Sequence, residues 1–318
     1  MRYGLPYKGS KNGIAEWIVD NLPKADTFVD LFCGGGAVTH RALLSGKYNH
    51  FIMNDIDARL PDLFIDCCYG KYTLKNHKEW ISRDDFIRLK DKDAYIALIW
   101  SFGNNGVDYL YAKDLEPFKK AFHYAVFFDD LSLMNKQGIH LQDTAEKDIY
   151  KRYLEFKKQL EIMKKKPQYF ENLTRAIEIE RLQSLQSLQS LQSLQSLQSL
   201  QKYGLSYDKV NIPENALIYC DIPYNSTNCG KYKGFNHDKF YEWARKQDNI
   251  FISEYYMPDD FIPIARIDKV QLSASNGNDY HAEEKIYTNE RTFKNLPDDR
   301  KHIASLEMAT QTTIFDFI

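Results

Sequence analysis

The chain is poor in cysteine, has no long apolar run and carries almost no net charge, and each shortage removes a class of protein. Its 318 residues include five cysteines, Cys33, Cys67, Cys68, Cys220 and Cys229, an odd set without zinc-ligand spacing. Cys33 and Cys220 stand at expected strand ends, which favours reduced thiols in a cytosolic protein over disulfides or metal ligands. No run of about 18 apolar residues occurs, and the opening Met1-Arg2-Tyr3-Gly4-Leu5-Pro6 lacks the apolar core of a signal peptide. A soluble, cytoplasmic protein without a bound metal is expected. A net charge of −2 and a pI near 6.5 leave no global attraction for a polyanion. Any nucleic-acid footprint must be local, in stretches such as Lys157-Lys158 and Lys164-Lys165-Lys166.

A chain of this length buries a sizeable core, as one large α/β domain with a smaller one inserted or appended. Gly13 to Asn21 read as a short helix, and Thr27 to Phe32 as a buried strand. Gly34-Gly35-Gly36 follow, then a helix from Ala37 to Ser45 and a second apolar run, Phe51-Ile52-Met53, ending at Asn54-Asp55. Strand, glycine turn, helix, strand and acid together are the sequence form of a βαβ mononucleotide half. Between residues 58 and 180 the pattern changes to long, charged, aromatic-rich helices, Asp114 to Asn135 and Glu146 to Lys165 among them. Alternation resumes with a strand at Ala216–Cys220, a helix at Asp238–Lys246, a strand at Asn249–Ser253, and Ile262–Leu272 with Glu284–Thr288 as a closing antiparallel pair. The expected fold is α/β: a Rossmann-like, doubly wound sheet with helices on both faces, from residues 1–57 and 203–318, interrupted by a mainly helical insertion at 58–180.

Residues 181–202 form a low-complexity tract, Arg181-Leu182-Gln183 followed by six Ser-Leu-Gln triplets. Leu and Gln favour helix, but a spacing of three falls behind an α-helical turn by about 60° per triplet, so the leucines would circle the helix rather than mark one face. The tract therefore reads as a spacer that packs in part and projects in part, grown by repeat slippage or retained to position the insertion.

Four segments carry chemistry. Asp221-Ile222-Pro223-Tyr224 follows the apolar run Ala216–Cys220 and delivers a carboxylate, a turn-forming Pro and an aromatic ring to one spot. Those groups suit a planar nucleobase amine, as hydrogen-bond acceptor, rigid turn and stacking surface; alone they equally describe an ordinary βα turn. The turn Asp30-Leu31-Phe32-Cys33-Gly34-Gly35-Gly36 lacks the GxGxxG spacing that closes on a pyrophosphate, which points to S-adenosylmethionine over NAD. Asp55, at the end of the next strand, stands where an acid accepts from ribose hydroxyls, or else caps the pattern beginning at Asp57. Pro6-Tyr7-Lys8-Gly9-Ser10-Lys11 sets an aromatic and two cations on a turn before a helix, suited to a methionine carboxylate or simply to solvent.

In that order, Pro6 to Lys11, Asp30 to Gly36, Asn54-Asp55-Ile56-Asp57 and Asp221 to Tyr224 resemble the motif series of the Dam-like, class α adenine-specific DNA methyltransferases. Trp100-Ser101-Phe102-Gly103-Asn104-Asn105-Gly106 with Asp108-Tyr109, Phe235 to Tyr241 with Trp243, and Ile252-Ser253-Glu254-Tyr255 are similar to further segments of the family. The resemblance implies a Rossmann-like methyltransferase sheet, a target-recognition insertion at 58–180, and transfer of a methyl group from S-adenosylmethionine to adenine in duplex DNA by base flipping. It implies cofactor contacts at Tyr7 and Lys11, at Asp30, Phe32, Cys33, Gly34 and Gly36, at Asp55, at Asp221, and at Tyr207 within Ser206-Tyr207-Asp208. Asp221, Ile222, Pro223 and Tyr224 are the implied catalytic residues, and Ile222 departs from the family's Asp-Pro-Pro-Tyr. Isoleucine still offers the carbonyl that accepts an amine hydrogen but lacks proline's fixed φ.

DNA contact falls to the insertion. Asn104, Asn105 and Tyr109, with Tyr111 nearby, have the chemistry to probe base edges and fill the gap left by a flipped base, and Lys113, Lys119 and Lys120 to meet phosphates; a solvated helix face is the alternative. The end, Gln311-Thr312-Thr313-Ile314-Phe315-Asp316-Phe317-Ile318, resembles the short peptides that dock on replication sliding clamps, or is a tail packed on its own domain. A monomer is expected. Methylation of cytosine's exocyclic amine, or an inactive DNA-binding module on the same fold, are the competing readings.

Overall fold

Strands with apolar side chains at consecutive positions build the centre of this fold. The sheet they centre has seven strands, β1 (Thr27–Asp30), β2 (His50–Asn54), β3 (Leu200–Tyr203), β4 (Leu217–Asp221), β5 (Ile250–Glu254), β6 (Ile262–Leu272) and β7 (Asp279–Thr288), joined in the order β3-β2-β1-β4-β5-β7-β6. The computed structural model describes residues 3–163, 174–224, 234–272, 279–298 and 301. β1 to β5 run parallel, while β7 lies antiparallel between β5 and β6. β1 and β5 are buried at every position, as strands covered on both faces must be. Alternate residues feed two apolar layers. Val29, Ile52, Ile218, Ile250 and Ile252 pack with Phe240, Tyr241 and Ala244 of the helix His237–Ala244. Phe28, Phe51 and Tyr219 point the other way and gather with Tyr48 at ring distances of 4.9 to 6.4 Å.

The sheet belongs to one of two compact units, made of Lys11–Pro61 and the chain from Leu194 onward. The other, mainly helical, takes the residues up to Ser10 and Asp62–Ser193. Asp114 to Asn135, which the sequence pattern joins into one helix, is two: Glu116–Phe128 and Ser132–Lys136. Asp129 turns left-handed at φ +59° to end the first, and the Asp130 carboxylate accepts the Ser132 amide (2.9 Å) to start the second. The helix expected over Glu146–Lys165 is Ile149–Ile162, entered at Asp148, whose side chain accepts the Lys151 amide (3.0 Å). No helix among the described residues is long and apolar enough to cross a membrane.

The triplet tract departs most from expectation. Leu182, Leu185, Leu188 and Leu191, in the helical unit, are all buried, so over that stretch the leucines do mark a packing face; Leu197, in the sheet unit, is buried as well, while Leu194 and Leu200 are half-buried. The reason is a change of winding. After the α-helix Ile177–Ser187 the backbone tightens into a 3-10 helix over Leu188–Ser193, where three residues make one turn and every third side chain is aligned. The serines follow the winding: Ser184 Oγ donates four residues back to the Glu180 carbonyl (3.0 Å), whereas Ser187 and Ser190 donate three back, to Ser184 and Ser187 (2.7 and 2.9 Å). The last triplet enters β3, a short polar edge strand paired with β2. The tract is thus divided between the units, up to Ser193 in the helical one and from Leu194 in the sheet one.

Truncating one of these leucines opens a cavity. Leu185→Ala should cost about 2–5 kcal/mol in denaturant unfolding, while the exposed Gln192→Ala stays within about 0.5 kcal/mol.

Candidate active site at the carboxyl ends of β1 and β4

In an open parallel sheet the crevice for ligands lies beyond the carboxyl ends of the strands, where the strand order reverses. Here that point falls between β1 and β4, paired as Phe28↔Leu217, Val29↔Ile218 and Asp30↔Tyr219, and the pairing extends one step further as Leu31 N–H donates to the Tyr219 carbonyl (3.0 Å). The glycine turn leaves β1 and the Asp221 tetrapeptide leaves β4 side by side. The turn is built on left-handed backbone at Gly34 (φ +48°) and Gly36 (φ +69°), conformations that a side chain would strain. Gly34 N–H donates to Asp55 Oδ2 (2.9 Å), and Asp55 Oδ1 accepts the Asp57 amide (2.9 Å). Asp57, not Asp55, meets the start of the helix Arg59–Cys68, accepting the Arg59 amide at 3.3 Å. Asn54 ties the same corner together, its Nδ2 donating to the Leu31 and Leu205 carbonyls (2.9 and 3.0 Å).

Buried acids crowd this end of the sheet. Asp30 accepts from Thr39 Oγ1 (2.7 Å) through Oδ2, while its Oδ1 is buried without a partner. Burial pushes the Asp30 carboxyl up to about 7; the Thr39 hydrogen bond opposes that rise, and Asp221 and Asp55 add to it. Burial likewise raises Glu254, at the end of β5, to about 7, against the pull of the Tyr255 amide. Burial also pushes the Cys33 thiol well above its ordinary range, so it is a neutral wall of the site. The Lys11 ammonium answers the acids. Lys11 Nζ, buried, lies 2.9 Å from Asp221 Oδ1 and 3.3 Å from Glu284 Oε1, donates to the Tyr224 hydroxyl and sits 4.3 Å from that ring's centroid. Burial alone would lower its pKa, but Asp221 and then Glu284 outweigh burial and hold it above the ordinary value. The Tyr224 hydroxyl donates to Glu284, and its ring meets Tyr255 edge-on at 4.6 Å.

Two features hold the tetrapeptide. The Ile222 side chain, 2% exposed, is buried in the core layer that includes Phe240 and Tyr241. His237 Nε2 donates to the Pro223 carbonyl (2.7 Å). Packing and a hydrogen bond thus do for the turn what a second proline ring would do by restricting φ. Beside it Phe32 and Tyr207 meet at 5.6 Å, within an aromatic group that takes in Phe235, Phe240 and Trp243.

The model of one protein family, the D12 class N6 adenine-specific DNA methyltransferases, matches residues 7–308. The chain belongs to that family. It is a methyltransferase that acts on adenine in DNA. A comparison with curated proteins finds no significant match.

Within this methyltransferase the expected cofactor residues Lys11, Asp30, Phe32, Cys33, Gly34, Gly36, Asp55, Tyr207 and Asp221 all belong to the sheet unit. Tyr7 falls in the helical unit, and Lys11 bears on the acid at the end of β4. Of the residues expected at DNA, Tyr109 is buried with its hydroxyl on the Ile81 carbonyl (2.7 Å), and Asn104 Nδ2 donates to the Leu98 carbonyl (2.8 Å). Asn105 folds into its own loop, donating to Asp108 and accepting the Val107 and Asp108 amides, whereas Lys113 is exposed. Phe102 and Val107 are the exposed apolar side chains of that loop. Lys119, expected to meet phosphate, is buried and donates to the Arg175 carbonyl (2.5 Å); burial drops its pKa to about 8, with Glu178 opposing. Residues 311–315 and Lys164-Lys165-Lys166 lie outside the described residues.

Sequence reasoning passed over Glu254, Glu284 and His237 as site residues. Glu254 had a signal, an acid where an apolar strand ends; Glu284 shares a strand face with Ile286 and Thr288, and a carboxylate in that register is a mark of function.

A carboxyl with a folded pKa near 7 and an unfolded pKa near 4 holds its proton more tightly when folded. Stability from Asp30 and Glu254 is therefore full below about pH 4 and is lost as pH rises to about 7. Urea unfolding across that window should show the decline, and Asp30→Asn should make it shallower.

Proposed function

We propose that the site at the ends of β1 and β4 transfers the methyl group of S-adenosylmethionine directly to the exocyclic amine of an adenine flipped out of duplex DNA. The observation that carries this reading is the convergence of Asp221, Tyr224 and the glycine turn at the switch point of the sheet. The residues present suit the cofactor. Asp30 Oδ1 is a buried acceptor without a partner, fit for an α-ammonium, and the acids at this end of the sheet favour a cationic ligand over a pyrophosphate. Asp55, held at the turn by Gly34 and Asp57 amides, is the acid for the ribose. When bound, S-adenosylmethionine supplies a methyl group activated by its sulfonium leaving group.

The protein's part is alignment and charge. Tyr224 stacks on the base, and Asp221 with the Ile222 carbonyl accepts the amine hydrogens. Accepting them draws the nitrogen lone pair out of the ring's conjugation and makes it available as nucleophile. Burial of the Ile222 side chain keeps its carbonyl in place, so the departure from a second proline is compatible with activity. Neither a metal nor a covalent enzyme intermediate is needed for this sequence of events.

Asp221→Ala should abolish formation of N6-methyladenine in plasmid DNA while circular dichroism stays native; full activity in that variant would remove Asp221 from the mechanism. Tyr224→Ala should weaken the reaction by about 1–3 kcal/mol, the worth of a base stack, with Tyr224→Phe milder.

A further inference from the structure

The adenine amine and the Lys11 ammonium compete for one carboxylate. If Asp221 accepts the amine hydrogens, the ammonium 2.9 Å from its Oδ1 must give way. A buried charge cannot be left without a partner, because losing one member of a buried ion pair is strongly destabilising. The ammonium needs a second acceptor within a short movement. Glu284 meets that need: its side chain is fully buried, its Oε1 is 3.3 Å from Lys11 Nζ, and the Tyr224 hydroxyl touches both groups. Its other oxygen, Oε2, is buried and has no hydrogen-bond partner. An orphaned buried carboxylate oxygen calls for an explanation, and a donor that reaches it only in a second arrangement supplies one.

We propose that Glu284 is a positioning residue for methyl transfer, taking the Lys11 ammonium from Asp221 as the target base enters so that Asp221 can accept the amine. The inference rests on Asp221 being the amine's acceptor. Moving the cation between two acids leaves the charge of the cluster unchanged, so the exchange avoids the cost of exposing either. The titratable groups that bear on Lys11 are Asp221 on β4, Tyr224 after it, Glu254 on β5 and Glu284 on β7.

Single-turnover methylation of unmethylated plasmid DNA, read as N6-methyladenine by nucleoside mass spectrometry, tests this, with thermal unfolding and S-adenosylmethionine binding measured alongside. Glu284→Gln keeps the shape and removes the charge; transfer should slow by about tenfold or more with cofactor affinity held within about twofold, and Glu284→Asp should recover part of the rate. In a Lys11→Met background no ammonium needs a second acceptor, so Glu284→Gln should cost less than about twofold. An equal cost in both backgrounds, or none in the parent, overturns the proposal. Where Lys11→Met is too slow to time, the acid limb of the pH–rate profile decides: without Glu284 the ammonium bears chiefly on Asp221, and the limb moves to lower pH, whereas an unmoved limb overturns the proposal. Asp221→Ala, assayed in parallel, separates the two ideas, since transfer by that variant removes the role of Asp221 whatever Glu284 does.

Discussion

The parallel pairing of β1 with β4 is the constraint on which the proposed active site depends. Phe28, Val29 and Asp30 meet Leu217, Ile218 and Tyr219, residues from opposite halves of the chain, and one more backbone hydrogen bond carries the pairing to Leu31. Because both strands run the same way, both release their loops at the same end. A glycine turn and an Asp-Ile-Pro-Tyr turn, neither decisive alone, become neighbours through that register. A slip of one residue would turn Asp30 from its buried contact with Thr39 and reverse the apolar faces of the strand.

Bringing those strand ends together creates an electrostatic problem that the fold meets unevenly. Asp30, Asp55, Asp221, Glu254 and Glu284 converge where water is scarce, and Lys11 is the ammonium placed among them. Two of the acids respond by holding their protons toward neutral pH, and Asp221 and Glu284 share the cation. Such a site repels anions and favours ligands that bring positive charge or N–H donors. The sulfonium cofactor and adenine amine of the proposed reaction are ligands of that kind.

In the triplet tract, the backbone winding decides what the repeat means. Measured against an α-helix, a leucine every third residue drifts around the axis and forms no face. Measured against a 3-10 helix it is in phase, and Leu188 and Leu191 are buried on that footing. Serine supports the tighter winding by donating to carbonyls three residues back. Arg181, at the head of the tract, reaches the carbonyls of Leu98, Ile99 and Ser101 and so anchors the base of the loop that bears Asn104 and Asn105. In a segment with the look of slippage, five of the leucines are buried as core.

Local pattern was enough for β1, β2, β4 and β5 and for the helix Ala37–Ser45, because each follows from side-chain periodicity or from the backbone freedom of glycine within a few positions. The order of the motifs was enough for the family. Lys11 illustrates what was not. Its sequence neighbours describe a cation on a turn, yet its partners Asp221, Tyr224 and Glu284 come from β4, the turn after it and β7, far along the chain. Burial of Tyr109 and Lys119, the winding of the leucine tract and the packing that steadies Ile222 were decided in the same way, by tertiary contact. Chain chemistry determined which groups are available; only the register of distant strands and helices decided which of them face each other, because the energy of burying a charge depends on what is buried with it.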